Sequence, residues 1–283
     1  MKKGLILEGG AMRGMFTCGV MDVFMENGIT FDGAAGISAG AIFGCNYKSG
    51  QIGRGVRYNK KYGQDKRYCS LKSLIKTGDL YGAEFCYETL PNELDIFDRD
   101  AFAANPMEFY IGATNIETAE TEYHKCSDGG DRDLLWMRAS GSMPVVSRPV
   151  NIDGKLYLDG GITDPVPLKF MESIGYNRNV IVLTQPDGYM KEKSSSLPVM
   201  RIALKDYPKT FEAMAKRHML YNAQMKAVKR REEKGYALVV RPPESLGISR
   251  TENDPDELER VYQIGRTEGE KRLEDVKRFL EKA

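Results

Sequence analysis

The chain has 283 residues and a formal net charge of +1, with 41% hydrophobic and 29% charged residues. That length buries a substantial core in one large or two small domains, and the composition is that of an ordinary globular protein. The near-neutral balance argues against a dedicated nucleic-acid binder, which carries a strong positive excess. Five scattered cysteines (Cys18, Cys45, Cys69, Cys86, Cys126) never fall in a C-x-x-C pattern, so reduced thiols are expected, with no zinc site and no disulfide framework. The apolar run Gly4 to Leu7 stops at Glu8, too short for a signal peptide, and no stretch reaches the length of a bilayer span. A cytoplasmic protein is expected, able to touch a membrane only peripherally, at its inner face.

Leu5-Ile6-Leu7 reads as a buried strand, followed by a glycine-rich turn over Glu8 to Gly14. Met15 to Glu26 is apolar nearly all round, as a buried helix is, and ends at Asn27-Gly28. Ile29 to Ile37 is a second short apolar strand, and Ala39 to Tyr47 a second buried helix. The order strand, turn, helix, strand implies a parallel pair with a crossover, the start of an α/β sheet. Gly50 to Glu93 is helical and loop-like. Within it, Arg54 to Lys76 holds eight basic residues and one acidic, while Glu84 to Asp100 is acidic. Phe109 to Asn115 and Glu120 to Lys125 read as strands joined at Ile116 to Ala119. Leu134 to Gly141 is a short helix, ended before Pro144. Ile152 to Lys155, with Asp153, is a hairpin turn, and the strand Lys155 to Leu158 runs into Asp159-Gly160-Gly161. Asn179 to Thr184 is a β-branched buried strand, Lys209 to Lys234 a long basic helix, Ala237 to Val240 a last strand, and Asp256 to Lys282 a charged helix started by Asp254-Pro255.

Three stretches carry candidate chemistry. Gly36-Ile37-Ser38-Ala39-Gly40 fits a nucleophile elbow, where a strand ends in a crowded turn with a serine at its tip and a helix leaves at once. Gly9-Gly10-Ala11-Met12-Arg13-Gly14 stands between a strand and a helix start, where backbone N–H groups converge and the helix dipole favours an anion. In a serine hydrolase that anion is the tetrahedral oxyanion, whose donors contribute roughly 3–4 kcal/mol each. A dinucleotide turn is the competing reading of this loop, with Asp32 as the ribose acid, although Asp32 begins its strand where the motif wants an acid at the end.

A serine hydroxyl needs a base. The chain has two histidines. His124 alternates with charged residues in a strand and is expected at the surface. His218 lies on the long basic helix, and the order Ser38, Asp159, His218 matches that of α/β-hydrolases, so a triad through His218 stays open. Asp159 is the stronger candidate, because a carboxylate where an apolar strand meets two glycines loses hydration and becomes more basic. It could then take the serine proton directly.

Together, in this order, the loop at Gly9 to Gly14, the elbow at Gly36 to Gly40 and Asp159-Gly160-Gly161 resemble the patatin-like phospholipases. Ala139-Ser140-Gly141-Ser142-Met143-Pro144, followed by Pro149, resembles the segment before that family's aspartate. The resemblance covers about Lys3 to Val182. It implies a three-layer α/β/α fold with a mainly parallel central sheet, a Ser38–Asp159 dyad without histidine, and hydrolysis of lipid or other acyl esters with no metal or organic cofactor. It implies a catalytic domain at 1–190, with 191–283 as a helical and strand extension on the same core. Ala11 departs from the family, which has glycine there. If its φ is positive, alanine costs on the order of 1 kcal/mol, yet the N–H is kept. The basic stretch Arg54 to Lys76 makes an anionic membrane surface a further expected partner.

Overall fold

The computed structural model describes residues 1–281; Lys282, expected at the end of the last helix, lies outside the described residues. Strand β1 (Lys3–Leu7) is hydrogen-bonded on both edges and buried on both faces, which is why Leu5, Ile6 and Leu7 are apolar without alternation. Helix α1 (Gly14–Glu26) carries the chain over to β2 (Gly33–Ile37), parallel to β1. Helix α2 (Ala39–Ser49) starts directly after Ser38. Helices α3 (Arg54–Tyr62), α4 (Leu71–Thr77) and α5 (Arg99–Ala104) follow, with a wide helical stretch at Phe85–Leu94 that contains Pro91.

The decisive strand is β3 (Glu108–Asn115). One edge pairs antiparallel with β4 (Glu120–Lys125). The other edge is shared between two strands. Glu108 to Gly112 pair in parallel with β2, and Ala113 to Asn115 pair antiparallel with β6 (Lys155–Asp159). Strands β2 and β6 therefore run head-on at each other, Ile37 opposite Gly112 and Asp159 opposite Ala113. Between them, α6 (Asp131–Gly141) and β5 (Val150–Ile152) lead into the β5–β6 hairpin. The turn expected there is present, with Asp153 and Gly154 at φ 52° and 83°, as a type I′ turn requires.

After β6 come α7 (Leu168–Ser173), β7 (Arg178–Val182) on the free edge of β1, α8 (Leu197–Ala203), α9 (Pro208–Glu233), β8 (Ala237–Val240) parallel to β7, and α10 (Pro255–Glu281). Leu5 and Leu7 face a core shared with α1, α2 and α10, while Ile6 faces a second core with Leu168, Met171 and Val228. The architecture is thus helices on both faces of a mostly parallel sheet, as expected. Four elements were not anticipated: β5, α5, α7 and α8. Each is three to seven residues long, too short to leave a periodic trace.

The C-terminal segment is built into this core. Helix α10 crosses α1 at backbone contact, because a Cβ on Gly265 would overlap the Phe16 carbonyl and one on Gly19 the Tyr262 carbonyl. Tyr262 donates to buried Asp22 at 2.7 Å, and Arg266 pairs with Glu26 at 2.7 Å. Gly265→Ala should lower unfolding stability by about 3 kcal/mol. Urea denaturation checks this, and a change below about 1 kcal/mol would mean that α10 is not seated as described.

Candidate active site

The head-on meeting of β2 and β6 brings Ser38 and Asp159 together. Ile37, the last residue of β2, and Asp159, the last of β6, lie opposite the successive residues Gly112 and Ala113, roughly 3.3 Å apart along β3, and Ser38 directly follows Ile37. Ser38 turns with φ 55° and ψ −122°. Space forces the glycines around it: a Cβ on Gly36 would overlap the Gly40 carbonyl, and one on Gly40 the Leu7 carbonyl. A Cβ on Gly160 would overlap the Gly112 oxygen, so β6 can leave the sheet only as glycine.

A strand gap leaves ladder groups without partners, and α6 supplies them. The Ser140 hydroxyl donates to Gly112 O at 2.6 Å and accepts from Ser38 N at 2.8 Å, fully buried. Asp159 N donates to Ser142 O at 2.7 Å. The Asp159 carboxylate is buried. Its Oδ1 accepts from Gly161 N at 2.7 Å, and the Ser38 side chain is near enough to favour its charged form. Burial raises the Asp159 carboxyl pKa above the usual aspartate value, while Ser38, the Gly161 N–H, Arg217 and Arg250 work against that rise. The serine therefore faces an aspartate that is more basic than usual.

The loop after β1 folds over the same point. A Cβ on Gly9 would come within 2.8 Å of Ser38 Cβ. Ala11 has φ 50°, so the strain foreseen for alanine at this position is present. Arg13 N donates to Gly10 O, and Gly14 N to Ala11 O and Met12 O. Among the described residues the amides of Gly9, Gly10, Ala11 and Met12 take no acceptor, so these four, and not Arg13 or Gly14, are free to bind an oxyanion. Gly14 is needed for packing, since a Cβ there would press on the Phe43 ring at 2.6 Å.

Glu8 holds this loop from beneath, a role that sequence reasoning missed. Its Oε2 accepts from Thr184 N at 2.6 Å and from Thr184 Oγ1 at 3.1 Å, and its Oε1 accepts from Tyr221 OH at 2.8 Å. The signal was an acid ending an apolar strand, where only internal hydrogen bonds justify burial.

The other expectations fall elsewhere. His218 does not line the cavity at Ser38. Arg217, one residue earlier and about 100° round the helix, does. A Ser–Asp–His triad is therefore not assembled. Asp32 accepts from Lys3 N at 2.6 Å at the start of β2, the far end from the glycine loop, which removes the dinucleotide reading. His124 is not a surface residue: it stacks on Trp136 and bonds to buried Asp133 at 2.6 Å. With Cys126 these form a compact donor set, but Asp133 already accepts from Ser127 N and Gly129 N, so its carboxylate anchors the start of α6.

Two cavities meet at Ser38. One, of about 100 Å³, is apolar and aromatic, lined by Ile42, Phe43, Tyr58, Tyr87 and Leu90. The other, of about 320 Å³, holds Asp159 and the glycine loop.

An open sheet with a strained serine at the carboxyl end of a parallel strand, under a glycine-rich loop, is the arrangement of a serine acyl hydrolase fold. Residues 5–171 match the patatin-like phospholipase family, and the chain belongs to it. Residues 207–281 match a family described only as a domain of unknown function (DUF6363). The chain is 29% identical over 191 residues to the uncharacterized protein YjjU of Escherichia coli K12, covering 64% of this chain and 52% of that protein. It is 26% identical over 293 residues to the lysophospholipase nte1 of Emericella nidulans, covering 97% of this chain and 18% of that protein. The chain thus spans about half or less of these relatives. The crystal structure of VipD from Legionella pneumophila aligns with 97% of this chain and 67% of its own, at 13% identity and a TM-score of 0.48.

Ser140→Ala leaves Ser38 N and Gly112 O unpaired in a buried site, which should cost about 1–3 kcal/mol of stability. Thermal unfolding checks this. An unchanged melting temperature would show that the bridge contributes nothing.

Proposed function

We infer that the protein is a serine lipid acyl hydrolase, of phospholipase A or esterase type, using a Ser38–Asp159 dyad. The observation that carries this is the end-to-end meeting of β2 and β6, which puts a strained serine beside a buried, basic aspartate under free amides. Ser38 Oγ attacks the ester carbonyl carbon and its proton passes to Asp159. The amides of Gly10, Ala11 and Met12 hold the oxyanion. Asp159 returns the proton to the leaving alcohol as the acyl-serine forms, then takes a proton from water. The resulting hydroxide releases the fatty acid, and the proton returns to Ser38. The apolar cavity at Phe43 and Tyr87 receives the acyl chain. Every step is carried by the chain's own groups.

The same reading takes 1–190 as the catalytic domain, supplying the dyad and the loop, with the later segment as an extension; in support, Arg217 and Tyr221 of that segment line the cavity at Ser38.

The membrane expectation changes place. Arg54 and Arg57 are paired with Asp95, Lys60 with Glu259 and Arg67 with Asp65, so much of the basic run is spent inside the protein. Likewise Arg231 is paired with Glu172. Exposed apolar residues flanked by basic ones lie instead on α4, with Leu71 and Ile75 beside Lys72 and Lys76, and on α8, with Val199 and Ile202 beside Arg201 and Lys205. Ile75 is 87% and Ile202 75% exposed. Helix α8 borders the larger cavity through Met200, and the chain just after α4 borders it through Leu80. Such a rim suits peripheral contact with an anionic lipid surface, here at the inner face of the cell membrane. No helix among the described residues is long and apolar enough to cross a membrane. Five unpaired cysteines suit a reducing cytoplasm.

A fluorophosphonate probe should label Ser38, read by peptide mapping. Ser38→Ala and Asp159→Asn should each lower kcat by at least about 10³-fold, and retention of wild-type turnover by either sinks the dyad. Activity should fall as pH drops through a pKa above the usual aspartate value, because the base must be ionised. The stability sign is opposite. A carboxyl whose folded pKa is raised favours the fold only at low pH, and that support is lost as pH rises through the folded pKa. Asp159→Asn should therefore melt higher than wild type at neutral pH, by about 2–4 °C per kcal/mol released, and not in acid.

A further inference from the structure

Four cations line the cavity that opens on Ser38: Arg13, Lys191, Arg217 and Arg250. Among the described residues none of them is within salt-bridge distance of a carboxylate. The acids in the lining are Glu8 and Asp159. Glu8 spends both oxygens on Thr184 and Tyr221, and Asp159 stands at the serine. Arg13 Nε is buried without a partner. Arg217, which lines the cavity, gives its Nε to Gly161 O, and among the described residues its terminal nitrogens take no hydrogen-bond acceptor. Lys191 is pinned in place by a two-way bond between its backbone and the Asn222 side chain, at 2.8 and 3.0 Å.

These cations feel one another. Burial together with repulsion from Arg217, Arg13 and Arg250 holds the Lys191 ammonium down to about 8. Burial and Arg250 likewise lower Arg217. Unpaired like charges gathered in a partly enclosed space are unfavourable alone and favourable around an anion.

We propose that Arg13, Lys191, Arg217 and Arg250 form a headgroup subsite for a phosphomonoester, so that the preferred substrates are acyl esters carrying a terminal phosphate. The assignment rests on the hydrolase reading of Ser38. A phosphomonoester brings about −1.5 to −2 charges and three acceptor oxygens at neutral pH, which suits several separate donors better than a single carboxylate does. A choline headgroup adds a fixed cation and needs open aromatic faces. Here the rings of Tyr189 and Tyr221 are covered by Lys191, at 5.8 and 4.9 Å. Three of the four cations lie beyond residue 171, outside the patatin-like match, and two of them, Arg217 and Arg250, lie in the segment of unknown function at 207–281. Headgroup selection is thus the role this segment plays.

Two measurements test this. Glycerol 3-phosphate titrated calorimetrically into the Ser38→Ala protein should bind, and glycerol should not. Arg250→Gln and Lys191→Gln should each weaken that binding by at least about tenfold. Separately, with matched acyl chains, kcat/KM for lysophosphatidic acid should exceed that for monoacylglycerol and for lysophosphatidylcholine by at least about tenfold, and both variants should bring that ratio toward one. A wild-type ratio of one, or a ratio untouched by either variant, overturns the proposal. Phosphate binding without substrate preference would mean a site for free phosphate, and the headgroup assignment would fall. Phosphate binding lost in the variants, in a protein that hydrolyses no ester, would sink the hydrolase reading and the headgroup assignment with it, leaving only an anion site.

Discussion

Everything at the site depends on two strands ending against each other on one edge of β3. A strand that stops inside a sheet leaves its neighbour's backbone groups exposed to a dry interior, which is costly unless other groups take them. Here Ser140 takes the Gly112 carbonyl and the Ser38 amide together, and Ser142 takes the Asp159 amide. Because the gap must be closed so tightly, both chains leave the sheet through turns that tolerate no side chain at Gly36, Gly40 or Gly160. Ser38 itself holds φ 55°, a conformation costing on the order of 1–2 kcal/mol for a residue with a Cβ. That strain is sustained by the apolar core that grips α2 and β2 from both sides.

Much of this was legible locally. The elbow, the glycine loop and the strand running into Asp159-Gly160-Gly161 are short patterns whose chemistry follows from neighbouring residues. Asp159 stood out over either histidine because of its strand end and the glycines after it. What could not be read was the shared edge of β3, since strand register between segments about 120 residues apart leaves no mark in either segment. Ser140 lay in a recognised stretch, yet its bond to Ser38 spans 102 residues. On α9 the difference between Arg217 and His218 is one step of helical phase, and a weakly amphipathic helix does not reveal its phase. The basic run from Arg54 reads as a surface for anionic lipid, but Arg54 is buried against Tyr58 and Phe97 and bonded to Asp95, which comes from the neighbouring acidic block. Complementary blocks of charge close in sequence proved to be partners.

The C-terminal third is not an appendage in energetic terms. Tyr221 of α9 holds Glu8, and Glu8 with Thr184 holds the start of the glycine-rich loop. Helix α10 lies against α1 at backbone distance, so the helix that carries the loop is itself clamped by the last element of the chain.

In the proposed dyad, with neither histidine at Ser38, proton transfer would rest on Asp159 alone, and its surroundings bear on that role. Full burial alone would leave the carboxyl neutral at physiological pH and unable to accept a proton, whereas a close ion pair would keep it charged and too weak a base. Both influences act here: burial raises the pKa, while Ser38, the Gly161 N–H and the charges of Arg217 and Arg250 work against the rise. Those two arginines also belong to the cation group in the cavity. An anionic headgroup among them would screen their pull on Asp159 and let its basicity increase when a substrate with the matching charge arrives. Headgroup selection and activation of the base would then draw on the same two guanidinium groups, so binding energy from a remote part of the substrate would appear in the chemical step.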